Sequence, residues 1–500
     1  MDDLDISANL TPKSQKSHKQ ISAFQAFTGL AKAGIGTGIL FTPFVFKQCG
    51  IIPTLMILTI IPTGIYCSYM LLLSVLKDLD NDKLNLIHLV KHVFSDPEEK
   101  KKNKLMSILT KTSFLAFNVG GNIAFYILII NSVGLYLKPE EEANNLEWSP
   151  SLYQKLLISL LIIFPIYYPF NIQPKLADLH CFNTIGLLLN NLTFAVLALN
   201  CIYLLMTDQE IEIENQKENS QTNEIQKSHS LMLYILINYG IVMYLYDING
   251  VMSDIRGQMK NTQEFKKVLI YYFQFMVAMA TVVGLSGYLV YGQDQQANIF
   301  VNLEGKGIIK GYAHFLALLY SLSLIISSVL YIYPIVNLLD QTFHLTNNYL
   351  VFFDENSQQQ KQKLTQQSIQ MQEMGKSSEI INNKVTQITV NQPKQNANQD
   401  QQIQNQNQRL SLQQHMIRLG VFSFKIFMAC VLPRVEVVVS ILGSIFSISL
   451  GFVIPFLIYQ EYYKKNPQKQ KPYTNKYAFG TLSFGIVGGI LGLCSVFISL

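Results

Sequence analysis

Charged residues are scarce in this chain. Asp, Glu, Lys and Arg make up 14% of the 500 residues, whereas 49% of the residues are hydrophobic. The apolar residues form blocks rather than the amphipathic spacing of a soluble helix, and about 20 mainly apolar residues suffice to cross a bilayer as a helix. These two features exclude an ordinary soluble domain and predict an all-α, polytopic membrane protein.

Cysteine is sparse and poorly placed for cross-linking. The six cysteines lie within or beside apolar blocks, so neither a disulfide framework nor a zinc-binding spacing is visible. His88 and His92 in LIHLVKHVF stand one helical turn apart, but a third metal ligand is missing. We interpret this stretch as an amphipathic helix on the cytosolic membrane surface. The chain also lacks a nucleophile elbow and a phosphate-binding loop, so we expect no enzymatic activity.

Eleven segments are candidates to span a membrane. Their approximate bounds are 23–46, 51–76, 107–137, 153–171, 177–206, 231–253, 266–291, 308–339, 417–433, 435–460 and 477–499. Segment 4, which contains Pro165 and Pro169, and segment 9, which is short and carries Lys425, fit the pattern least well.

The loops indicate the orientation. Residues 1–22 form a polar tail without the apolar core of a signal peptide, so we expect segment 1 itself to direct insertion. Lys and Arg are concentrated in this tail and in the loops after segments 2, 6 and 10, which places the amino terminus in the cytosol. The loops predicted on the opposite face are acidic and read KPEEEANNLEW and DQEIEIENQKEN.

A polar tract divides the predicted spans into two groups. Segments 1–8 occupy 23–340, a cytosolic loop occupies 341–415, and segments 9–11 lie in 416–500. Within the loop, 354–415 is rich in Gln and Asn and has few apolar residues, so it is predicted to be disordered. It offers room for a cytosolic partner, although a compositional habit of the source genome explains it as well.

The first segment carries three glycines near its centre. Gly34, Gly36 and Gly38 lie in the stretch LAKAGIGTGILFTPF, and each glycine in a helix costs roughly 1 kcal/mol relative to alanine. The cluster therefore predicts a break at membrane depth. Gly34 and Gly38 also form a GxxxG pair, so a close crossing of two continuous helices is an alternative explanation.

Segment 6 weakens at the corresponding place. In YGIVMYLYDINGVMSDI, Asp247, Asn249 and Gly250 interrupt an apolar run near its middle. Transporters built from inverted repeats often have discontinuous helices at equivalent positions of both halves. Freed backbone groups are tolerated at membrane depth only beside protein or a water-filled cavity. The free amides at the start of a half-helix favour an anion, and the free carbonyls at the end of a half-helix favour a cation. The two breaks together therefore suit a zwitterion.

Four stretches resemble the amino acid/auxin permease family, especially its proton-coupled and vacuolar amino acid transporter branches. LAKAGIGTGILFTPFVFKQCG resembles the first-helix signature, and YDINGVMSDIRGQMKNTQEFKKVL is similar to the sixth helix and its exit. GLSGYLVYGQDQQANIFVNL looks like the end of the seventh helix, and ACVLPRVEVVVSILGSIFSISLGFVIPFLIY resembles the ninth and tenth. The resemblance covers nearly all the spans, from about residue 22 to 500.

The resemblance implies a leucine-transporter-like fold, in which a 5+5 inverted repeat with broken helices 1 and 6 is followed by an eleventh helix. It also implies secondary active transport of amino acids, with the substrate between segments 1, 3, 6 and 8. Two departures from the family pattern stand out. Asp247 stands where the family commonly has Glu, and Asp254 and Arg256 replace a proline and an acid.

Residues at the two breaks are the candidate site. The substrate-binding candidates are Gly34, Ile35, Gly36, Thr37, Gly38, Asn122, Tyr246, Asn249 and Gly250. The ion-coupling candidates are Asp247, Lys32, Ser327 and Ser328. Asn122 belongs to a polar stripe on segment 3, with Asn118 and Tyr126, that should face the bundle interior.

Each ion-coupling candidate has a structural alternative. A carboxylate deep in a bilayer is costly unless it is paired, hydrated or protonated, so Asp247 is a candidate proton carrier or else a permanent partner of Lys32 or a helix cap. Lys32 is expected to snorkel toward the cytosolic interface. Ser327 and Ser328 can help to coordinate sodium with freed carbonyls, or bond to their own helix backbone.

The favoured function is transport of neutral amino acids coupled to a proton, without a cofactor other than the coupling ion. Sodium coupling and an amino acid sensor of the same fold, signalling through its cytosolic segments, are the alternatives. We expect contact with lipids and small solutes but not with nucleic acid. The membrane is either the plasma membrane or that of an acidic organelle such as a vacuole or lysosome.

Overall fold

The computed structural model describes residues 20–79, 84–137, 150–171, 180–207, 238–303, 312–342, 412–432 and 434–499. The 354–415 tract therefore lies almost wholly outside the described residues, as do both acidic loops. Among the described residues the secondary structure is helical. The one β-type contact there is an isolated parallel bridge between Ile21 and Met259.

The helices follow the predicted segments. Segments 1 to 5 correspond to α1 (Ala23–Gly34) with α2 (Thr42–Cys49), α3 (Ile51–Asp78), α5 (Lys100–Gly134), α6 (Leu152–Ile158) with α7 (Phe164–Asn171), and α8 (His180–Thr207). Segments 6 to 8 correspond to α9 (238–246) with α10 (Met252–Gln258), α11 (Phe265–Tyr291) and α13 (Tyr312–Thr342). Segments 9 to 11 correspond to α14 (Leu412–Val431), α15 (Val435–Ile441) with α16 (Ile454–Lys465), and α17 (Asn475–Ser499). The short helices α4 (Leu86–Val93) and α12 (Ile299–Leu303) lie in connections.

Six described helices are long and apolar enough to cross a membrane. They comprise Ile51–Asp78, Lys100–Gly134, Asn183–Met206, Thr262–Asp294, Val435–Lys465 and Asn475–Cys494. The pair Ala23–Gly34 and Thr37–Cys49 passes the same test together but is bent by 53°. The all-helical membrane class is thus supported, whereas the total of eleven spans and the inverted repeat stay predictions.

Local sequence sets the helix ends near the site. Ser22 and Gln25 form a reciprocal capping box that starts α1. Gly50, with φ of 80°, joins α2 to α3, because this left-handed turn is open to glycine at little steric cost. The backbone of Ile21 pairs with the chain after α10, through Ile21 N to Gln258 O at 2.9 Å and Lys260 N to Ile21 O at 3.0 Å. This pairing joins the start of segment 1 to the end of segment 6.

The helix containing the two histidines packs on protein. Asn85 caps α4 by accepting from the amide of His88, and the buried face of α4 packs against α5 and α16 through Leu86, Leu89, Val90 and Val93. The helix is amphipathic as predicted, but its assignment to the membrane surface was wrong, because neighbouring helices cover its apolar face. Among the described residues no group of three potential metal ligands is present.

An ion-pair cluster joins the amino-terminal end of α5 to α16. Lys102 Nζ lies 2.8 Å from Glu99 and 2.6 Å from Glu461, whose carboxylate also lies 3.6 Å from Lys465. The Lys102 hydrogen bond lowers the pKa of the Glu99 carboxyl below its usual value, so Glu99 stays ionised at neutral pH. The cluster ties two helices at one end of the bundle.

Glu461→Gln should destabilise this end of the bundle. The Glu461 side chain is only 8% exposed whereas Lys102 is 39% exposed, so solvent screens the pair and the expected loss of unfolding free energy is about 1 kcal/mol. Thermal unfolding in detergent at low and high salt would measure the loss, which should shrink with salt. Glu98→Gln, at an exposed position, is the matched control. Equal effects of the two substitutions would contradict the assignment.

Candidate functional site

Segment 1 breaks where its glycines predict. Helix α1 ends at Gly34, Gly36 adopts an extended conformation with φ of −120° and ψ of −156°, and a 3₁₀ turn over Thr37–Phe41 leads into α2. The amide of Gly36 bonds to the carbonyl of Gly34 at 2.8 Å instead of to the carbonyl four residues earlier. The helical ladder is therefore interrupted, and carbonyls near the break need other donors.

Hydroxyl groups of α13 satisfy these carbonyls. Ser327 Oγ donates to the carbonyl of Lys32 at 3.3 Å, Tyr331 Oη to that of Ala33 at 3.2 Å, and Tyr320 Oη to that of Gly36 at 2.7 Å. All three donors are buried. Segment 8 thus supplies a row of hydroxyls along the break in segment 1, which is how freed peptide groups are tolerated at membrane depth.

Segment 6 breaks beside it. The helix over 238–246 stops at Asp247, and α10 begins at Met252. Asp247 is 2% exposed, and its Oδ1 accepts from the amide of Asn249 at 2.8 Å, which stabilises the turn between the half-helices. The carboxyl also lies close to the Ser447 hydroxyl of segment 10, although Oδ2 makes no hydrogen bond of good geometry among the described residues. The carbonyl of Tyr246 accepts from Tyr272 Oη of α11 at 3.4 Å.

The two breaks lie against each other. A Cβ placed on Gly38 would lie 3.0 Å from Leu245 Cα, so the two backbones approach closely where both helices are interrupted. Thr37 Oγ1 lies 3.5 Å from Tyr244 Oη. A Cβ on Gly250 would meet Asn118 Oδ1 of α5 at 2.6 Å, which brings the third helix to the same place. The residues of both breaks are buried.

A profile of the family described as transmembrane amino acid transporter protein matches residues 19–498. The chain belongs to this family. This is a family of transporters, which agrees with the expectation that the chain is not an enzyme. Its description gives amino acids as the substrates of the family.

Two relatives of this family member carry transporter names. Amino acid transporter AVT3C of Arabidopsis thaliana is 22% identical over 290 residues, which are 58% of this chain and 64% of the relative. Vacuolar amino acid transporter 4 of Saccharomyces cerevisiae is 25% identical over 108 residues, which are 21% of this chain and 14% of the relative. The matches thus span less than two thirds of each relative's length.

The structure of this transporter-family member brings most predicted site residues together. Gly34 to Gly38, Asp247, Asn249 and Gly250 form the two facing breaks, and Ser327 reaches the first of them. Ser328 instead donates to the carbonyl of Ile325 in its own helix at 2.7 Å. The Tyr246 hydroxyl donates to the carbonyl of Leu58 in α3 at 2.8 Å, so only the Tyr246 carbonyl is turned to the break.

The polar stripe of segment 3 is buried as expected. Asn122 Nδ2 donates to the carbonyl of Asn118 at 3.0 Å, and Asn118 Nδ2 donates to that of Phe114 at 2.7 Å. The Oδ1 atom of Asn118 has no hydrogen-bond partner among the described residues. Asn118 therefore presents an acceptor to the segment 6 break, a position that the substrate-binding set did not include.

The position of the Lys32 side chain differs from the one expected. The prediction that it snorkels to the interface was wrong, because its side chain is fully buried and its Nζ donates to the carbonyl and the hydroxyl of Ser323 at 2.9 and 2.6 Å. Ser323 Oγ in turn donates to the carbonyl of Gly186 in α8 at 2.8 Å. A buried ammonium needs such oxygen partners. Lys32 thereby ties α1 to α13 and α8 and does not pair with Asp247.

Sequence analysis missed the tyrosines. The freed carbonyls accept hydrogen bonds from Tyr320, Tyr331 and Tyr272. In the sequence alone, a tyrosine inside an apolar segment is indistinguishable from an ordinary core residue. Ser444 and Ser447 were also missed; both are buried on a π-helical turn, Leu442–Ser447, in segment 10, and the Ser447 hydroxyl lies close to the Asp247 carboxyl. Such turns occur frequently at functional sites. The available signal was the six buried hydroxyl-bearing residues described in segment 8, namely Tyr320, Ser321, Ser323, Ser327, Ser328 and Tyr331.

Gly38→Ala should disturb the junction of the two breaks. The added methyl group would press on Leu245 Cα, which belongs to the backbone and cannot rotate aside, and overpacking of this kind costs roughly 1–3 kcal/mol. We expect a lower unfolding midpoint in detergent and weaker amino acid uptake in vesicles. Gly420→Ala, where a Cβ meets nothing within 4 Å, is the control. Wild-type behaviour of the Gly38 variant would contradict the close approach.

Proposed function

We propose that this chain is a secondary active transporter that moves a neutral amino acid together with a proton by alternating access. The observation that carries the proposal is the pair of facing helix breaks with one buried carboxylate, Asp247, at their junction. Family membership supplies the amino acid class. The breaks supply peptide groups that are suited to the two charges of a zwitterion.

The carbonyls of the breaks are the proposed ligands of the substrate ammonium. In the structure the carbonyls of Gly36 and Tyr246 accept from Tyr320 and Tyr272. An entering ammonium group is a stronger donor than a phenol, so it can share or replace these hydrogen bonds. The substrate carboxylate would face the amino-terminal turn at Thr37–Phe41, where the first amides of a helical segment point outward.

Asp247 is the proposed proton carrier. One carboxylate oxygen is fixed by the amide of Asn249, and the carboxyl lies close to the Ser447 hydroxyl, but no described cation pairs with it. A buried carboxylate without a cationic partner is costly, whereas a protonated carboxyl is not. Proton binding to Asp247 would therefore accompany the occluded state, and ionisation would accompany opening to water.

Lys32 argues against sodium as the coupling ion. Its ammonium lies between α1, α13 and α8, beside the carbonyls and serines that were considered for a sodium site. Ser327 and Tyr331 already donate to the carbonyls of Lys32 and Ala33. A sodium ion there would have to displace Lys32 Nζ from Ser323 and both hydroxyls from the carbonyls.

The membrane is proposed to be that of an acidic compartment or the plasma membrane. A proton-coupled carrier needs a pH gradient, and the yeast relative has a vacuolar name. The alternative of a sensor depended on residues 354–415, of which 354–411 lie outside the described residues.

Asp247→Asn tests the proton-coupled mechanism. Reconstituted wild-type protein should accumulate a labelled neutral amino acid when a pH gradient is imposed. The variant should lose accumulation, because asparagine cannot exchange a proton, but should retain exchange of labelled for unlabelled amino acid. Asp294→Asn, in the turn after α11, is the control and should behave as wild type. Full gradient-driven accumulation by the Asp247 variant would refute its role.

Exchange of sodium for choline tests the choice of ion. At a fixed pH gradient, uptake should be the same in both media, and a sodium gradient alone should drive none. Lys32→Met should reduce uptake in both media, because α1 loses its hydrogen bonds to Ser323. Accumulation driven by sodium alone in the wild type would contradict the proposal.

A further inference from the structure

A cavity opens at the end of the bundle that carries the ion-pair cluster. None of its lining residues belongs to either helix break. Its volume is about 240 Å³, against a share of about 30 Å³ for one water molecule in the liquid. It lies where the carboxyl ends of α3, α4 and α16 meet. The lining residues are Asp78, Leu79, His92, Val93, Ser95, Tyr462, Lys465, Asn466 and Lys469. We call it the basic cavity.

Two lysines are held at its wall. Lys465 Nζ donates to the carbonyl of Val93 at 2.9 Å, and Lys469 Nζ donates to the carbonyl of Asp78 at 2.6 Å and to Tyr462 Oη at 2.7 Å. Val93 and Asp78 are the last residues of α4 and α3. These hydrogen bonds fix both ammonium groups beside the open space, as lysines do at helix carboxyl ends.

Acids near the cavity offset part of this charge. Among the described lining residues Asp78 is the one acid, and its carboxylate accepts from Tyr463 Oη at 2.6 Å. Glu461 lies 2.6 Å from Lys102 and 3.6 Å from Lys465, and Glu99 pairs with Lys102 and, at 3.9 Å, with Lys464. His92 adds an imidazole to the wall. The described lining residues thus carry two lysines against one carboxylate.

We propose that the basic cavity binds a phosphate group, either as free phosphate or as the phosphorylated headgroup of a lipid in the same leaflet. Ammonium groups, an amide, a hydroxyl and an imidazole around a small opening are the donors that bind such an anion. Basic pockets between helices at the cytosolic face of a membrane protein suit phosphorylated lipid headgroups. The lysine-rich loop after segment 10 places this end of the bundle in the cytosol by the positive-inside rule.

Thermal unfolding of the purified full chain in detergent tests the site, with inorganic phosphate as the probe. At constant pH and ionic strength, phosphate should raise the unfolding midpoint relative to chloride, and the rise should saturate with concentration. Lys465→Gln with Lys469→Gln should abolish the rise. Lys464→Gln, which removes one positive charge from an adjacent position outside the lining, should preserve it.

Ser95→Glu keeps both lysine caps and so avoids the risk that the double variant fails to fold. A carboxylate at this lining position should repel the anion and abolish the phosphate-dependent rise, whereas Ser95→Gln, with the same length and no charge, should retain it. The proposal is overturned if phosphate and chloride give the same midpoint in the wild type, or if the Glu and Gln variants respond alike.

Short-chain lipids identify the source of the phosphate. Dioctanoyl phosphatidylinositol 4-phosphate, dioctanoyl phosphatidylserine and inorganic phosphate would be titrated separately. A midpoint rise at lower concentrations of the phosphoinositide than of inorganic phosphate assigns a lipid headgroup, and the reverse order assigns free phosphate. An equal response to phosphatidylserine, which carries no phosphomonoester, would overturn the proposed chemistry. Because every readout is binding, the result is independent of amino acid transport.

Discussion

The need to satisfy peptide groups at membrane depth governs this structure. Two helices are interrupted in the middle of the bundle, and each interruption frees carbonyls that would otherwise be costly in an apolar interior. These carbonyls accept hydrogen bonds from buried hydroxyls of neighbouring helices, which are those of Ser327, Tyr320 and Tyr331 on α13 and of Tyr272 on α11. The breaks are thus stable without a ligand, yet their oxygens remain exchangeable, because a phenolic hydrogen bond is weaker than one from an ammonium group.

The neighbouring helices determine what can move. Lys32 fixes the first half of segment 1 to α13 and α8, and the pairing of Ile21 with Met259 joins that half to the end of α10. These contacts link the two half-helices on the same side of the breaks. Opening on that side would therefore displace α1 and α10 together and would break the Lys32 hydrogen bonds.

The basic cavity is connected to the same half-helix. The amide of Leu86, at the start of α4, donates to Ser253 Oγ of α10 at 3.3 Å, and the end of α4 lines the cavity through His92 and Val93. One short helix therefore lies between the break in segment 6 and the proposed phosphate site. The transport proposal and the phosphate-site proposal rest on different residues and are tested by different measurements.

Sequence alone determined the class of protein and the places of the breaks. Apolar blocks are visible because a bilayer demands them, and glycines or an acid inside such a block disrupt a helix whatever surrounds it. It also identified Asp247 as the carboxylate at the junction. Segments 4 and 9 fitted the pattern least well, and in the structure α6 and α7 are separated by a π-helical stretch, Ser159–Ile163, while Lys425 is buried beside the Tyr126 ring.

Only tertiary structure decided the partners. Lys32 was expected at the interface because a sequence shows the length of a lysine side chain but not which helix lies opposite it. The tyrosines that hold the freed carbonyls are indistinguishable from core residues until the rotation of α13 and α11 is known. The cavity at the ends of α3, α4 and α16 joins residues almost 400 positions apart, Asp78 to Lys469. Such contacts depend on helix packing, which no local pattern specifies.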